Sequence, residues 1–517
     1  MTDSNNIVII GGGHNGLVCA AYLAKAGKNV TVLEASEEVG GAAATREFAP
    51  GYKASCAHIL NLLDDGISEE LDLPSNGLSI SKENLTTIAL AEDDNNITIT
   101  PDSVEGGGLT PEDKAAYTEY RRFMTKFAGI IGSMHNLVPP RITTDKENLV
   151  PLGKLAWKVR MLGRDDMREL LRIGGINIYD VLKENFENPL LKGALSLDAV
   201  LGTFSGPRSN NSVFTALHRM SGNNSGAAGA ASIPAGGMGG VMQAIAGAAS
   251  RAGAEIRISS PVKRIVMDGM AVSGVELENG EQIQASTVIS NADVRTTILD
   301  LLGARHVEAD FARRVNNIRS KGNTAKLHLA LDGLPQFKGL KQSQLGERLV
   351  IAPTVEYVEH AFNHCKYGEF SARPVAEITI PSVHDESLSP DGKHVLSAIV
   401  QYAPRNLGQG WSEGKAAFTN AIMDVLESYA PGLREQTIAS ELLTPEDMEN
   451  EFGMSGGHWH HAELSLDQFL MLRPVPHSAQ YKTPVDGLYL CGAGCHPGGG
   501  IMGSAGKNAA SVILANQ

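Results

Sequence analysis

The apolar positions follow several spacings along the chain, and these sort it into elements. Ile7 to Ile10 and Val30 to Leu33 are short continuous apolar runs, as expected of parallel strands buried on both faces. Between them "LVCAAYLAKAG" reads as a helix stopped at Gly27. Thr110-Pro111-Glu112-Asp113 gives an N-cap, a proline at the first helical position and acids in the first turn, and residues 110–220 read as largely helical. Pro234 to Ala246 is a glycine turn entering a helix. Residues 254–292 read as short strands, with Asn279-Gly280 as a hairpin turn. Later strands are expected in "TAKLHLAL", "VAEITI" and "HVLSAIVQYA". A helix over Glu413–Tyr429 puts Phe418, Ile422, Val425 and Tyr429 on one face.

The turn after the first strand carries chemistry. Gly11, Gly13 and Gly16 stand in GxGxxG register, followed by His14 and Asn15 at the helix start, and Glu34 closes the second strand. This order fits a dinucleotide site: Gly11 for the tight turn, Gly13 for close approach of a pyrophosphate, Gly16 for helix–strand packing and Glu34 for a ribose hydroxyl. Ala35, Gly40, Gly41 and Thr45 extend the site; a second glycine pair after the acid is typical of flavoproteins.

Bulk properties narrow the class. A chain of 517 residues has room for two or three domains, and a net charge of −14 argues against non-specific nucleic-acid binding. No apolar run reaches about 18 residues, the length a membrane span requires, and the polar start "MTDSNN" does not read as a signal peptide. Five scattered cysteines form neither a CxxC pair nor a disulfide framework, so a cytoplasmic, reducing location is expected.

Several stretches carry a wider resemblance: "GGGHNGLVCAAYLAKAGKNVTVLEA", "VLGTFSGPRS", "IPAGGMGGVMQAIA", "VISNADV", "LSLDQFLMLRP" and "GLYLCGAGCHPGGGIMGSAGKNAA". In that order the chain resembles the phytoene desaturase-related flavoproteins of the amine-oxidase-like group, particularly the pyridine nucleotide-disulfide oxidoreductase domain-containing protein 2 branch. The resemblance implies an α/β fold in which a Rossmann-type FAD-binding domain (1–75, 228–300 and 484–517) is interleaved with an α+β substrate-binding domain (76–227 and 301–483). It implies FAD as cofactor, with further contacts from Val262, Asn291, Gly492, Ala493, Gly494, Gly500, Ile501 and Met502. It also implies two-electron oxidation of a C–C or C–N bond in a polyene, lipid-like or amine substrate. With a single dinucleotide fingerprint, electrons are expected to leave to oxygen or a quinone. A flavin-fold binding protein without catalysis, and a flavin reductase or isomerase using NAD(P)H, are the alternatives. Family members often carry Arg after the glycine pair; here Ala42 stands there, so a phosphate contact is either missing or supplied by Arg46.

"GGHWHHAELSLDQF" gathers His458, His460 and His461 around Trp459. If extended, His458 and His460 share one face. A metal site needs three or four ligands, so the run reads better as a pocket wall with acid/base histidines, and no metal is expected. His496 in the carboxy-terminal turn is a further catalytic candidate; Arg208 and His218 are candidates for the substrate pocket, although Arg208 also suits a turn brace. Asp198 reads as a satisfied buried acid.

Residues 149–173 mix Leu, Trp157, Val159 and Met161 with six Lys and Arg. Peripheral contact with a membrane is one reading. A helix with one buried face and one solvated basic face is the other, and the favoured one.

Overall fold

The computed structural model describes residues 6–141, 146–222 and 226–516. Five parallel strands form one sheet in the order Glu255–Arg257, Asn29–Leu33, Asn6–Ile10, Thr287–Ser290, Leu488–Leu490. Its strands come from three separated stretches of chain. The helices His14–Lys25, Met238–Arg251 and Ser504–Ala515 pack together on it. Small residues let these helices approach closely: a Cβ on Gly506 would sit 2.2 Å from the Asn15 carbonyl oxygen. An antiparallel meander, Val262–Asp268, Ala271–Leu277 and Gln282–Gln284, turns through Asn279-Gly280 before the chain re-enters the sheet.

The second sheet has eight strands, in the order Thr437–Leu443, Thr324–Leu331, His394–Gln401, Val375–Thr379, Arg348–Ile351, Thr87–Ala89, Ile97–Ile99, Val104–Gly106. Every pairing is antiparallel except that of Arg348–Ile351 with Thr87–Ala89. Strand periodicity divides its faces. Leu327, Leu349, Ile378 and Ala398 share a core with Phe418, Ile422 and Leu426 of the helix Trp411–Tyr429. The opposite face bears Lys326, Ile399, Glu377 and Val350 in one row across four strands.

Six helices lie between residues 111 and 220. The first, Pro111–His135, begins with the capping box expected of Thr110: its hydroxyl accepts from Asp113 N at 3.1 Å, and the Asp113 carboxylate faces back to Thr110. Phe127, Leu191, Phe214 and others of these helices form a core with Val350, Val375 and Ile399 of the sheet.

Candidate active site

A cavity of about 590 Å³ runs from the glycine turn of the parallel sheet to the face of the eight-stranded sheet that bears Glu377 and Ile399. At the first end, Gly11 has φ +95°, a conformation glycine adopts freely. A Cβ on Gly13 would lie 2.7 Å from Asn291 Nδ2, and one on Gly16 would lie 2.3 Å from the Gly11 carbonyl oxygen. The helix at His14 begins at Gly13 without a side-chain cap, so its first N–H groups remain available to an anion. Glu34 is fixed at both oxygens, accepting from Gly12 N at 2.7 Å and Ser36 N at 2.8 Å. His14 Nε2 and Asn15 Nδ2 are buried without protein partners, as groups facing a ligand would be. Glycines shaped to the backbone, an uncapped helix start, a held carboxylate and unpartnered donors fit a flavin dinucleotide.

The lining includes Gly11, Gly13, His14, Asn15, Glu34 and Ala35, together with Gly40, Gly41, Val262, Asn291, Ala493, Gly500 and Ile501. Gly16, Thr45, Gly492, Gly494 and Met502 stand behind it. Thr45 ties the Met238–Arg251 helix by donating to Gly236 O at 2.8 Å and accepting from Gly239 N at 2.9 Å. Gly492 packs against the Asn291 backbone, Gly494 near His461 Cβ, and Met502 is buried. Arg46 does not replace the arginine missing at Ala42: its guanidinium pairs with Glu441 at 2.7 Å and Glu451 at 3.4 Å, while Ala42 lines the cavity.

The histidine run is a turn and not a strand. His461 N donates to the His458 carbonyl oxygen at 2.9 Å, and His461 takes φ +56°. The alternation expected of an extended segment therefore fails: Trp459, His460 and His461 all line the cavity, whereas His458 is buried with Nε2 3.3 Å from Glu463. His218 also lines it, held by Gly499 O at 3.1 Å. His496 is absent from the lining, its Nε2 lying 2.9 Å from Met134 O. Arg208 stacks over the Tyr179 ring and donates to its hydroxyl at 2.9 Å, remote from the lining; it is the brace of a turn. Burial pushes the imidazoles toward neutrality: His14, His218 and His496 fall to about 4, and His460 lies well below its ordinary value. Among the described residues no group of three or more His, Cys, Asp or Glu side chains is arranged to hold a metal ion.

The run is held by Arg473, whose fully buried guanidinium donates to His460 O at 2.5 Å, Ala493 O at 2.9 Å, Cys495 O at 3.0 Å and Glu463 O at 3.2 Å. One side chain thus joins the histidine turn to the carboxy-terminal glycine turn. All five cysteines are free, and burial raises the Cys56 thiol to about 11 and that of Cys495 to about 12, leaving protonated thiols in place of a redox pair.

At the far end lies a charged cluster that spacing did not single out. Glu377, fully buried, accepts from Arg219 Nη2 at 2.8 Å and Arg348 Nε at 2.9 Å; Asp198 pairs with the same two guanidiniums and, far from being buried among apolar residues, lines the cavity. Beside them Lys326 Nζ lies 2.6 Å from His58 Nδ1. Burial lowers the Lys326 ammonium to about 7, against the opposing pull of Cys56 and Glu377. His58 lines the cavity, and its Nε2 is buried without a hydrogen-bond partner, 3.9 Å from Glu377. The available signal was a lysine and a histidine within the otherwise apolar strand "TAKLHLAL", all of whose positions are buried.

Comparison with known proteins agrees with this geometry. Residues 9–67 match the NAD(P)-binding Rossmann-like domain, and residues 169–514 match the flavin containing amine oxidoreductase model. The chain belongs to the flavin-containing amine oxidoreductase family. Within that family's reach, it is 34% identical to pyridine nucleotide-disulfide oxidoreductase domain-containing protein 2 of Rattus norvegicus, over 98% of this chain and 93% of that one. It is 28% identical to a phytoene desaturase (lycopene-forming) of Pantoea ananas, over 71% and 72%. A putrescine oxidase structure with putrescine bound aligns over 99% of this chain and 98% of that one, at 15% identity with a TM-score of 0.63, and shares the fold. This family member is an FAD-dependent oxidoreductase of the amine oxidase and desaturase type.

Proposed function

We propose that the chain oxidises the C–N bond of a small amine, and that His58, governed by Lys326, removes the proton. The observation that carries this reading is the 2.6 Å contact between Lys326 Nζ and His58 Nδ1 at the charged end of the cavity. Oxidation of an amine to an imine removes a hydride and a proton. Bound FAD supplies the acceptor for the two electrons, which then pass to dioxygen or a quinone. The chain must manage the proton.

When Lys326 is an ammonium, it donates to His58 Nδ1 and leaves the proton of the neutral imidazole on Nε2, where it cannot accept another. When Lys326 is a neutral amine, its lone pair accepts from Nδ1–H and Nε2 is left as the basic nitrogen of an imidazole that burial holds well below its ordinary value, so that it rests neutral and able to accept. The Lys326 value of about 7 places this exchange near neutrality. Glu377 and Asp198 are countered by Arg219 and Arg348, so the cluster gives a polar end without a bare anion. A purely hydrocarbon polyene would leave these buried charges without use, which favours the amine. Trp459 Nε1, buried without a partner, is a further donor for orienting a bound molecule.

Anaerobic titration with a panel of primary and secondary amines and a panel of polyenes tests this. Bleaching of the flavin absorbance by amines, faster above pH 7, is expected. Bleaching by polyenes alone would overturn the reading.

A further inference from the structure

The helix 146–161 carries an apolar stripe on its solvent side. Val150, Lys154, Trp157 and Met161 fall within about 60° of one another around the helix, and Val150 is 54% exposed, Trp157 66% and Met161 65%. Leu149 and, on the next helix, Leu171 are 48% and 73% exposed. The favoured expectation, one covered face and one solvated basic face, is met on the inner side, where Leu152, Leu155, Val159 and Leu162 are half-buried, but Trp157 and Met161 form a second apolar strip that projects outward.

The charge on this surface opposes that of the molecule. Residues 149–173 hold six Lys and Arg against three acids, in a chain of net charge −14. Among the described residues, Asp166 is taken by Lys126 and Glu169 by Arg172, while Lys154, Lys158, Arg160, Arg164 and Arg168 have no ion-pair partner. Isolated exposed apolar residues are ordinary, but a contiguous stripe rimmed by unpaired cations is not. No helix among the described residues is long and apolar enough to cross a membrane.

We infer that this face docks on an anionic lipid surface. Trp157 and Met161 would enter the headgroup boundary, and the five free cations would contact lipid phosphates, as an in-plane amphipathic helix does. The acidic remainder of the chain would be repelled, so the contact is confined to this face and sensitive to salt.

The test is flotation of the FAD-loaded protein with phosphatidylcholine vesicles, with and without phosphatidylserine. Binding at least about tenfold tighter to the anionic vesicles is expected, reversed by high salt. Trp157→Glu with Met161→Glu should abolish it, as should Lys154→Glu with Lys158→Glu, with flavin spectrum and Tm unchanged because these side chains are exposed. A blue shift of tryptophan emission on vesicles should vanish in Trp157→Phe. No flotation, or flotation that survives both double variants, would overturn the proposal. So would a concentration-dependent oligomer dissolved by Trp157→Glu, which would identify the stripe as a contact between copies of the chain.

Discussion

Lys326, on the second strand of the eight-stranded sheet, and His58, in the segment leading from the parallel sheet, meet at 2.6 Å, a contact through which the charge of one would set the tautomer of the other. The groups around them, Glu377, Arg219, Arg348 and Cys56, are paired or protonated at neutral pH, which leaves Lys326 as the titrating member. Flavin reduction by substrate should therefore rise with pH through about 7 and reach a plateau. Lys326→Met should remove that rise, and His58→Ala should slow reduction by about 100-fold or more, the usual worth of a positioned base. Stopped-flow reduction across pH 6 to 9 measures both; an unchanged profile in Lys326→Met would defeat the assignment.

Glu377 supports a stability prediction. Burial alone would raise its carboxyl, but Arg219, Arg348 and His58 outweigh that and hold it well below the usual carboxylate range. A depressed carboxyl contributes stability above its unfolded value of 4.5, and the contribution is lost as pH falls below it. Glu377→Gln should cost about 3–5 kcal/mol at pH 7, because the buried guanidinium of Arg348 and the half-buried one of Arg219 would then share Asp198 alone. Denaturant melts should show this gap shrinking between pH 5 and 3.

How much of this was readable beforehand depended on sequence distance. The glycine turn, its helix, Glu34 and the Thr110 cap are set by residues within a few turns of each other, so spacing revealed them. The histidine run was half readable: its residues pointed to a pocket wall, but the left-handed His461 and the hold of Arg473 turn His458 away from the cavity, and no local periodicity encodes that. Lys326 and His58 are 268 positions apart, and Glu377 reaches them only through strand register. Trp157 shows the converse, since apolar residues recur on both sides of its helix and their spacing does not say which side is covered.

The nucleotide end yields a packing prediction. In Gly16→Ala the new methyl would meet the Gly11 carbonyl oxygen at 2.3 Å and Asn291 at 3.1 Å, both fixed by the sheet. This variant should purify largely without flavin. Glu34→Ala keeps the turn but removes the acceptor held by Gly12 N and Ser36 N. Its FAD affinity should fall by about 10- to 100-fold, the equivalent of one or two hydrogen bonds to a charged group. Fluorescence titration of apoprotein with FAD separates the two cases.

Arg473 gives the last prediction, because it is a buried cation whose acceptors are main-chain carbonyls. Burial lowers it only to about 10, so it is charged at neutral pH, stabilised by the carbonyl dipoles of His460, Glu463, Ala493 and Cys495. Arg473→Leu would leave those oxygens buried and unpaired, at a cost of at least about 3 kcal/mol. Arg473→Lys would restore the charge without the planar fork that spans two turns, and should recover part of the stability. Because His460 and His461 reach the cavity through the turn that Arg473 holds, the lysine variant should bind FAD yet reduce it more slowly with substrate. A lysine variant with wild-type reduction rates would show that the cavity wall keeps its shape without Arg473.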